Sequence, residues 1–176
     1  MPSSGVRPAT MADAGHIGAV NVAAWRERLT GILPADVLEG LSADDLGMVW
    51  ASGILNPPTP QHLLLVAVEG DAVLGYAAVG PSADPDADAE TAELIALEVD
   101  PAHQRGGHGS RLIAAVADVC RASGMTTVSV WCPVADGVRR GFLQSAGWGP
   151  DSARRDLQVG PEDGDVVREV RLVTAL

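Results

Sequence analysis

Apolar and polar positions change their period several times along the chain, and each change marks an element. After a short apolar start at Val6, the residues Ile17, Val20, Ala24 and Trp25 recur at helical spacing. They follow Thr10 and Asp13, an N-cap with an acidic first turn. This helix is expected to end before Gly31, and Pro34 and Ser42 each open a further short helix, over 34–41 and 42–51. The prolines of NPPTP (56–60) close the region, because they fix the backbone and remove donors. The segment HLLLVAVEGDAVLGYAAVG (62–80) then reads as two apolar strands turning at Gly70-Asp71. PSADPDADAE (81–90) is polar, acidic and proline-marked, an exposed loop, since burial would strand its carboxylates. ELIALEV (93–99) is a strand of the sheet interior, ended by Asp100-Pro101.

Leu112, Ile113, Val116, Val119 and Cys120 share one face of a helix that stops near Gly124. TTVSVWC (126–132) is the next strand, cut off at Pro133, and DGVRRGFLQSAGW (136–148) is a short helix ending at Gly147. Strands over 155–159 and 166–173 flank the turn GPEDGD (160–165). The order predicts a mixed α/β (α+β) fold in a single domain over residues 1–176.

Composition narrows what such a domain does. With 176 residues, 47% of them hydrophobic and 20% charged, the chain can fill one core. Twenty-three acidic residues against twelve basic ones give a net charge of -11, which disfavours a nucleic-acid or anionic-membrane partner. No basic segment precedes an apolar run at the N-terminus, and no run reaches the roughly 18 residues of a spanning helix. A cytoplasmic protein is expected. Cys120 and Cys132 form neither a disulfide framework nor a metal-site spacing, and His16, His62, His103 and His108 lack an H-x-x-x-H arrangement, so no metal site is expected.

The chemistry concentrates in HQRGGHGSRL (103–112), three glycines between a strand and a helix. Such a junction leaves unpaired N–H groups at the positive end of a helix dipole, where an anion binds. A P-loop would need lysine where the chain has Ser110 and Arg111, and a dinucleotide fingerprint would need glycine where it has Leu112. Gln104-Arg105-Gly106-Gly107-His108-Gly109 satisfies Q-x-x-G-x-G instead. Together with LEVDP (97–101) before it and GFLQSAGW (141–148) after it, the motif resembles the GNAT superfamily of acetyl-CoA-dependent N-acetyltransferases. VRPATMADAGHIGAVNVAAW (6–25) is similar to that family's first strand and helix, so the resemblance covers most of the chain.

The resemblance implies a central, mostly antiparallel sheet of six to seven strands, splayed in the middle, with helices on both faces. It also implies acetyl-CoA as co-substrate, with no metal. Main-chain groups of Arg105, Gly106, Gly107, His108, Gly109 and Ser110, following Gln104, would hold the pyrophosphate, and those of Leu97 and Val99 would pair with the pantetheine amides. Arg139 and Arg140 are candidates for the adenosine phosphates. Asp136 stands where the family often has an asparagine on the pantetheine.

The resemblance makes Glu93, eleven positions before Gln104, the leading general base. Glu98 is the second choice, expected to face away from Leu97 and Val99. The family's usual acid is a tyrosine where this chain has Leu143, which leaves water, Ser145, Cys132 or Tyr76 as donors. Trp25 and Trp50 are candidates for the acceptor pocket or for the core, and Asp84, Asp86, Asp88 and Glu90 for attracting a cationic amine or for a solvated loop. The function implied is acetyl transfer to a primary amine, on a small molecule or a protein N-terminus, by direct attack in a ternary complex. The alternative is a non-catalytic module that binds or senses acyl-CoA. A homodimer is left open.

Overall fold

Gly70 takes φ +58° at the turn between two apolar strands, and the hairpin expected there is formed. The computed structural model describes residues 4–176. In chain order the elements are β1 (Ser4–Pro8), α1 (Ala14–Arg28), α2 (Ala35–Glu39), α3 (Ala43–Leu55), β2 (Leu63–Glu69), β3 (Ala72–Pro81) and β4 (Thr91–Val99). They continue with α4 (His108–Ala122), β5 (Thr127–Pro133), α5 (Gly137–Ser145), β6 (Gly149–Gln158) and β7 (Val166–Ala175). The strands form a seven-stranded sheet in the order β1-β2-β3-β4-β5-β7-β6, antiparallel except between β4 and β5.

The two faces of the sheet are covered differently. Leu94 and Leu97 of β4, Val128 and Val130 of β5 and Leu172 of β7 point to one side, where Leu112, Val116 and Cys120 of α4 and Leu143 of α5 close the larger core. Val66, Val73 and Tyr76 point to the other side, against Ile17 and Val20 of α1. Helix α3 lies on α1 at a glycine contact. A Cβ on Gly18 would sit 2.3 Å from the Ala43 carbonyl oxygen, so only glycine admits this approach.

Several boundaries differ from the sequence expectation, among them those of α3, β4 and β6. Helix α3 runs on to Leu55, past exposed Met48 and Val49. Strand β4 begins at Thr91. Strand β6 begins at Gly149, well before Arg155, because an edge strand needs only its main chain to pair with β7 and carries little apolar alternation. Its ladder is interrupted between Pro150 and Arg154, with Ser152 at φ +76°.

Candidate functional site

Strands β4 and β5 pair over only three positions, Thr91, Ala92 and Glu93 opposite Thr127, Val128 and Ser129. Beyond Glu93 they part. Pro133, at the far end of β5, has no N–H to offer a neighbour, and β5 pairs with β7 on its other side. On β4 the Asp100 N–H donates to the Leu74 carbonyl (2.8 Å), and Glu98 opposes Tyr76. Main-chain groups alternate along a strand, so those of Leu97 and Val99 point into the gap, where no strand among the described residues meets them. Such half-buried amides require a polar partner, and an extended chain carrying its own amides supplies one.

The gap leads to the mouth of α4. Gly107, its N-cap residue, adopts φ +80° and Arg105 φ +65°, so the chain turns through two left-handed residues before the helix. Among the described residues no protein acceptor takes the main-chain N–H groups of Arg105 through Ser110; the first bond of the helix runs from Arg111 N–H to Gly107 O (3.0 Å). Gln104 through Gly107 and Ser110 are exposed. This is the geometry of an anion cradle.

The glycines divide the work. Gly107 supplies the conformation, whereas a Cβ on Gly109 would meet the Phe142 ring at 3.2 Å, so Gly109 lets α4 approach α5. The His108 ring is buried and bonds Arg111 through Nδ1 (2.9 Å), so only its main chain faces the cradle. Burial and the neighbouring Arg111 charge lower its pKa, which favours the neutral ring. Arg111 also donates to the Gly106 carbonyl (3.2 Å), which places a guanidinium beside the cradle that the sequence reading did not weigh as a ligand. Its signal was its place four residues after Gly107, one helical turn on.

A charged cluster spans the open end of the gap. Glu98 is buried and faces away from Leu97 and Val99, as its alternation predicts. Its Oε1 accepts from Arg28 (2.5 Å), Trp25 Nε1 (3.1 Å) and Arg139 (3.4 Å). Arg28 also pairs with Asp136, and Asp136 caps α5 by accepting from the Arg139 N–H (3.0 Å). Arg139 donates a further bond to the Leu97 carbonyl at 2.8 Å. Its guanidinium therefore lies in the gap. Trp25 belongs to this cluster, whereas Trp50 donates to Asn21 (3.0 Å) and stacks edge-on with Tyr76, centroids 5.0 Å apart.

Glu93 sits where the strands part, beside Ser129, on the face opposite Leu94. Partial burial and the Asp84 charge raise its pKa, opposed by Arg155. Asp84 is less solvated than an exposed loop implies. It accepts from Trp131 Nε1 (3.0 and 3.1 Å) and from Arg171 (3.0 Å), which also holds Asp86 (2.6 Å) and Asp151 (2.7 Å). Arg155 lies 4.4 Å over the Trp131 ring and pairs with Glu169 (2.6 Å). Trp131, Arg155, Glu169 and Arg171 were not singled out from the sequence, because cross-strand neighbours have no local spacing signal.

The candidate proton donors fall in different places. Leu143 is wholly buried in the larger core. Ser145 donates to the Phe142 carbonyl (2.6 Å) at the far end of α5. Burial pushes the Cys132 thiol up to about 11 and raises the pKa of the Tyr76 hydroxyl further still, so both hold their protons at pH 7. Tyr76 opposes Glu98 on the neighbouring strand and is fully buried in the smaller core.

Comparison with known proteins agrees with this fold. Residues 29–148 match the family model described as Acetyltransferase (GNAT) family. YuaI of Bacillus subtilis (strain 168), named an uncharacterized N-acetyltransferase, is 29% identical over 126 residues, 72% of this chain and 69% of that protein. The PaiA N-acetyltransferase of Thermoplasma acidophilum, solved with coenzyme A, superposes with a TM-score of 0.75 at 16% identity, covering 99% of each chain. YncA of Salmonella typhimurium, solved with acetyl-CoA, gives 0.70 at 23% identity over 99% of this chain and 94% of that one. The ribosomal-protein-alanine N-acetyltransferase of Brucella melitensis gives 0.72 at 20% identity, over 97% and 99%.

Proposed function

The chain belongs to the acetyltransferase (GNAT) family, and from that premise we propose that it moves an acetyl group from acetyl-CoA to a primary amine by direct attack in a ternary complex. One observation carries the reading. The N–H groups of Arg105 to Ser110 have no acceptor among the described residues at the start of α4, and the main chain of Leu97 and Val99 has no strand partner in the gap before it. A diphosphate suits the first set of groups, and an amide-bearing tail suits the second. The two similar structures solved with coenzyme A and with acetyl-CoA support the same co-substrate.

Where β4 leaves β5, the tail would end beside Glu93. An ammonium acceptor must lose a proton before its nitrogen can attack, and Glu93, with its raised pKa, is the base assigned to that task, directly or through water. The amine nitrogen then bonds to the thioester carbonyl carbon; as the carbon–sulfur bond breaks with its electron pair on sulfur, the nitrogen loses its second proton to water, and the thiolate takes a proton from solvent. Leu143 supplies no proton, and a thiolate leaves without one more readily than an alkoxide or amide would. The acceptor approaches over the polar face of Glu93, Trp131, Arg155 and Glu169. Trp25, Arg28 and Glu98 flank it on the α1 side. The reaction is assigned to the cytoplasm, where acetyl-CoA and reduced thiols coexist.

A second reading, an acyl-CoA-binding module without turnover, is favoured by the full burial of Leu143 where the family carries its acid. Titrating the protein with acetyl-CoA in a calorimeter, then following free thiol with a panel of amines, separates the two. Saturable binding with amine-dependent thiol release supports transfer; binding without release supports the module; no binding sinks both.

A further inference from the structure

The Leu97 carbonyl faces the gap, and it is already taken. Arg139 crosses from α5 to reach it at 2.8 Å, with its side chain only 11% exposed. Its other partner is Glu98 Oε1 at 3.4 Å, which Arg28 and Trp25 also engage. Asp136 anchors the start of α5 to Arg28 and to the Arg139 main chain, so the base of the arginine is fixed to both sides of the gap. A guanidinium N–H on a carbonyl is the bond that the N–H of an entering amide would make. An entering amide would compete with Arg139 for the lone pair that faces the gap.

We propose that Arg139 is a self-ligand of the cofactor gap. It occupies the Leu97 carbonyl in the free protein and must give it up when the pantetheine arm binds, so that cofactor affinity is held below what the gap and the cradle alone would give. The proposal rests on the assignment of the gap to pantetheine. It reverses the sign expected of an arginine that holds adenosine phosphate: removing Arg139 should strengthen binding. Glu98 keeps Arg28 and Trp25 when Arg139 is replaced, so the substitution leaves no buried carboxylate without a partner.

The test compares wild type and Arg139→Met in calorimetric titrations with acetyl-CoA and with S-acetylpantetheine, which carries the same amides and no phosphate. The variant is expected to bind both about tenfold more tightly, the order of one charge-assisted hydrogen bond withdrawn from competition. Weaker binding of acetyl-CoA with S-acetylpantetheine unchanged would return Arg139 to the phosphates and overturn the proposal, and equal affinities for both ligands would overturn it too. A measurement on the unaltered chain stands apart from any folding defect of the variant. The guanidinium protons of Arg139, followed by nitrogen-15 NMR, should exchange faster once S-acetylpantetheine saturates the protein, and an unchanged signal overturns the proposal. Wild-type protein that binds neither thioester would instead sink the cofactor reading beneath it.

Discussion

Glu93 and Glu98 share one face of β4, although an odd number of positions separates them and a regular strand would set them on opposite faces. The extra residue is Ile95. Ala78 opposes Ala96 and Val79 opposes Leu94, so Ile95 bulges out of the ladder and stands half exposed in the middle of the sheet. Leu94 before the bulge and Leu97 after it both join the larger core, whereas Ala96 packs with the smaller one. The bulge thus turns both carboxylates toward the α1 side of the sheet, the side proposed for the acceptor, while the main chain of Leu97 and Val99 still addresses the gap.

Glu93→Gln is expected to lower kcat by about a hundredfold or more, the usual share of a general base. The rate of the wild type should rise with pH through a midpoint above the ordinary glutamate value of about 4.3. The same shift has a stability side. A carboxyl whose folded pKa is raised holds its proton more tightly folded than unfolded, so stability falls as pH rises from the unfolded value through the folded one. Glu93→Gln should therefore melt higher than wild type at pH 7, with the gain vanishing in acid. A variant that lost activity and melted lower at pH 7 would make Glu93 structural.

Gly107→Asp tests the cradle. The substitution puts a carboxylate beside unpaired N–H groups at φ +80°, and repels phosphate where the dipole would attract it. Acetyl-CoA affinity should fall by more than about tenfold, whereas Glu93→Gln should leave it within about twofold, since Glu93 lies away from the glycine turn proposed for the phosphates. Equal losses from the two changes would contradict the division between cradle and base.

The elements and the cradle could be read from the sequence because their causes are local: helical spacing, a hairpin glycine, three glycines between strand and helix. The interior of the site could not. Arg28 and Asp136 lie far apart in sequence and meet only because the gap brings α1 to α5. The bulge at Ile95 leaves no mark in a run as uniformly apolar as ELIALEV, and it decides which way Glu93 faces. The acidic loop was expected to be solvated, yet Asp84 is held by Trp131 and Arg171, partners on strands remote in sequence. Gln104, the first residue of the motif, sits exposed at the end of the turn before the cradle.

Cys132 should be chemically silent. It is fully buried, and with its thiol pushed up to about 11 the thiolate is scarce at neutral pH. Native protein should react with a thiol reagent only on unfolding, and Cys132→Ala should keep turnover within about threefold. An acylated Cys132 trapped by mass spectrometry would replace direct attack with a covalent route.

Gly18→Ala probes the scaffold that carries Trp25 and Arg28. The new Cβ would stand 2.3 Å from the Ala43 carbonyl oxygen and 2.6 Å from the Gly47 nitrogen, both main-chain atoms, so α1 and α3 must separate. The cost should be about 1–3 kcal/mol, seen as a melting point lower by roughly 5 °C. Because α1 carries Arg28 to the gap, amine turnover should fall along with stability. A variant as stable as wild type would show that the helices can slide past one another.

Arg171 and Asp84 should move the pH profile in opposite directions. Arg171 binds Asp84, Asp86 and Asp151 at once with its side chain 11% exposed, and so ties the loop after β3 to the last two strands. Asp84 in turn is the charge that, after burial, does most to raise the pKa of Glu93. In Arg171→Met the Asp84 charge loses its counter-ion, and the acid limb of the rate profile should move to higher pH; in Asp84→Asn the charge is gone, and the limb should move lower. Neither residue touches the gap or the mouth of α4, so acetyl-CoA affinity should hold in both variants while KM for the amine rises in Arg171→Met, whose loop is no longer fixed. Profiles that shift the same way in the two variants would show that Glu93 does not set the limb, and the base would have to be sought at Glu98, on the other side of the bulge.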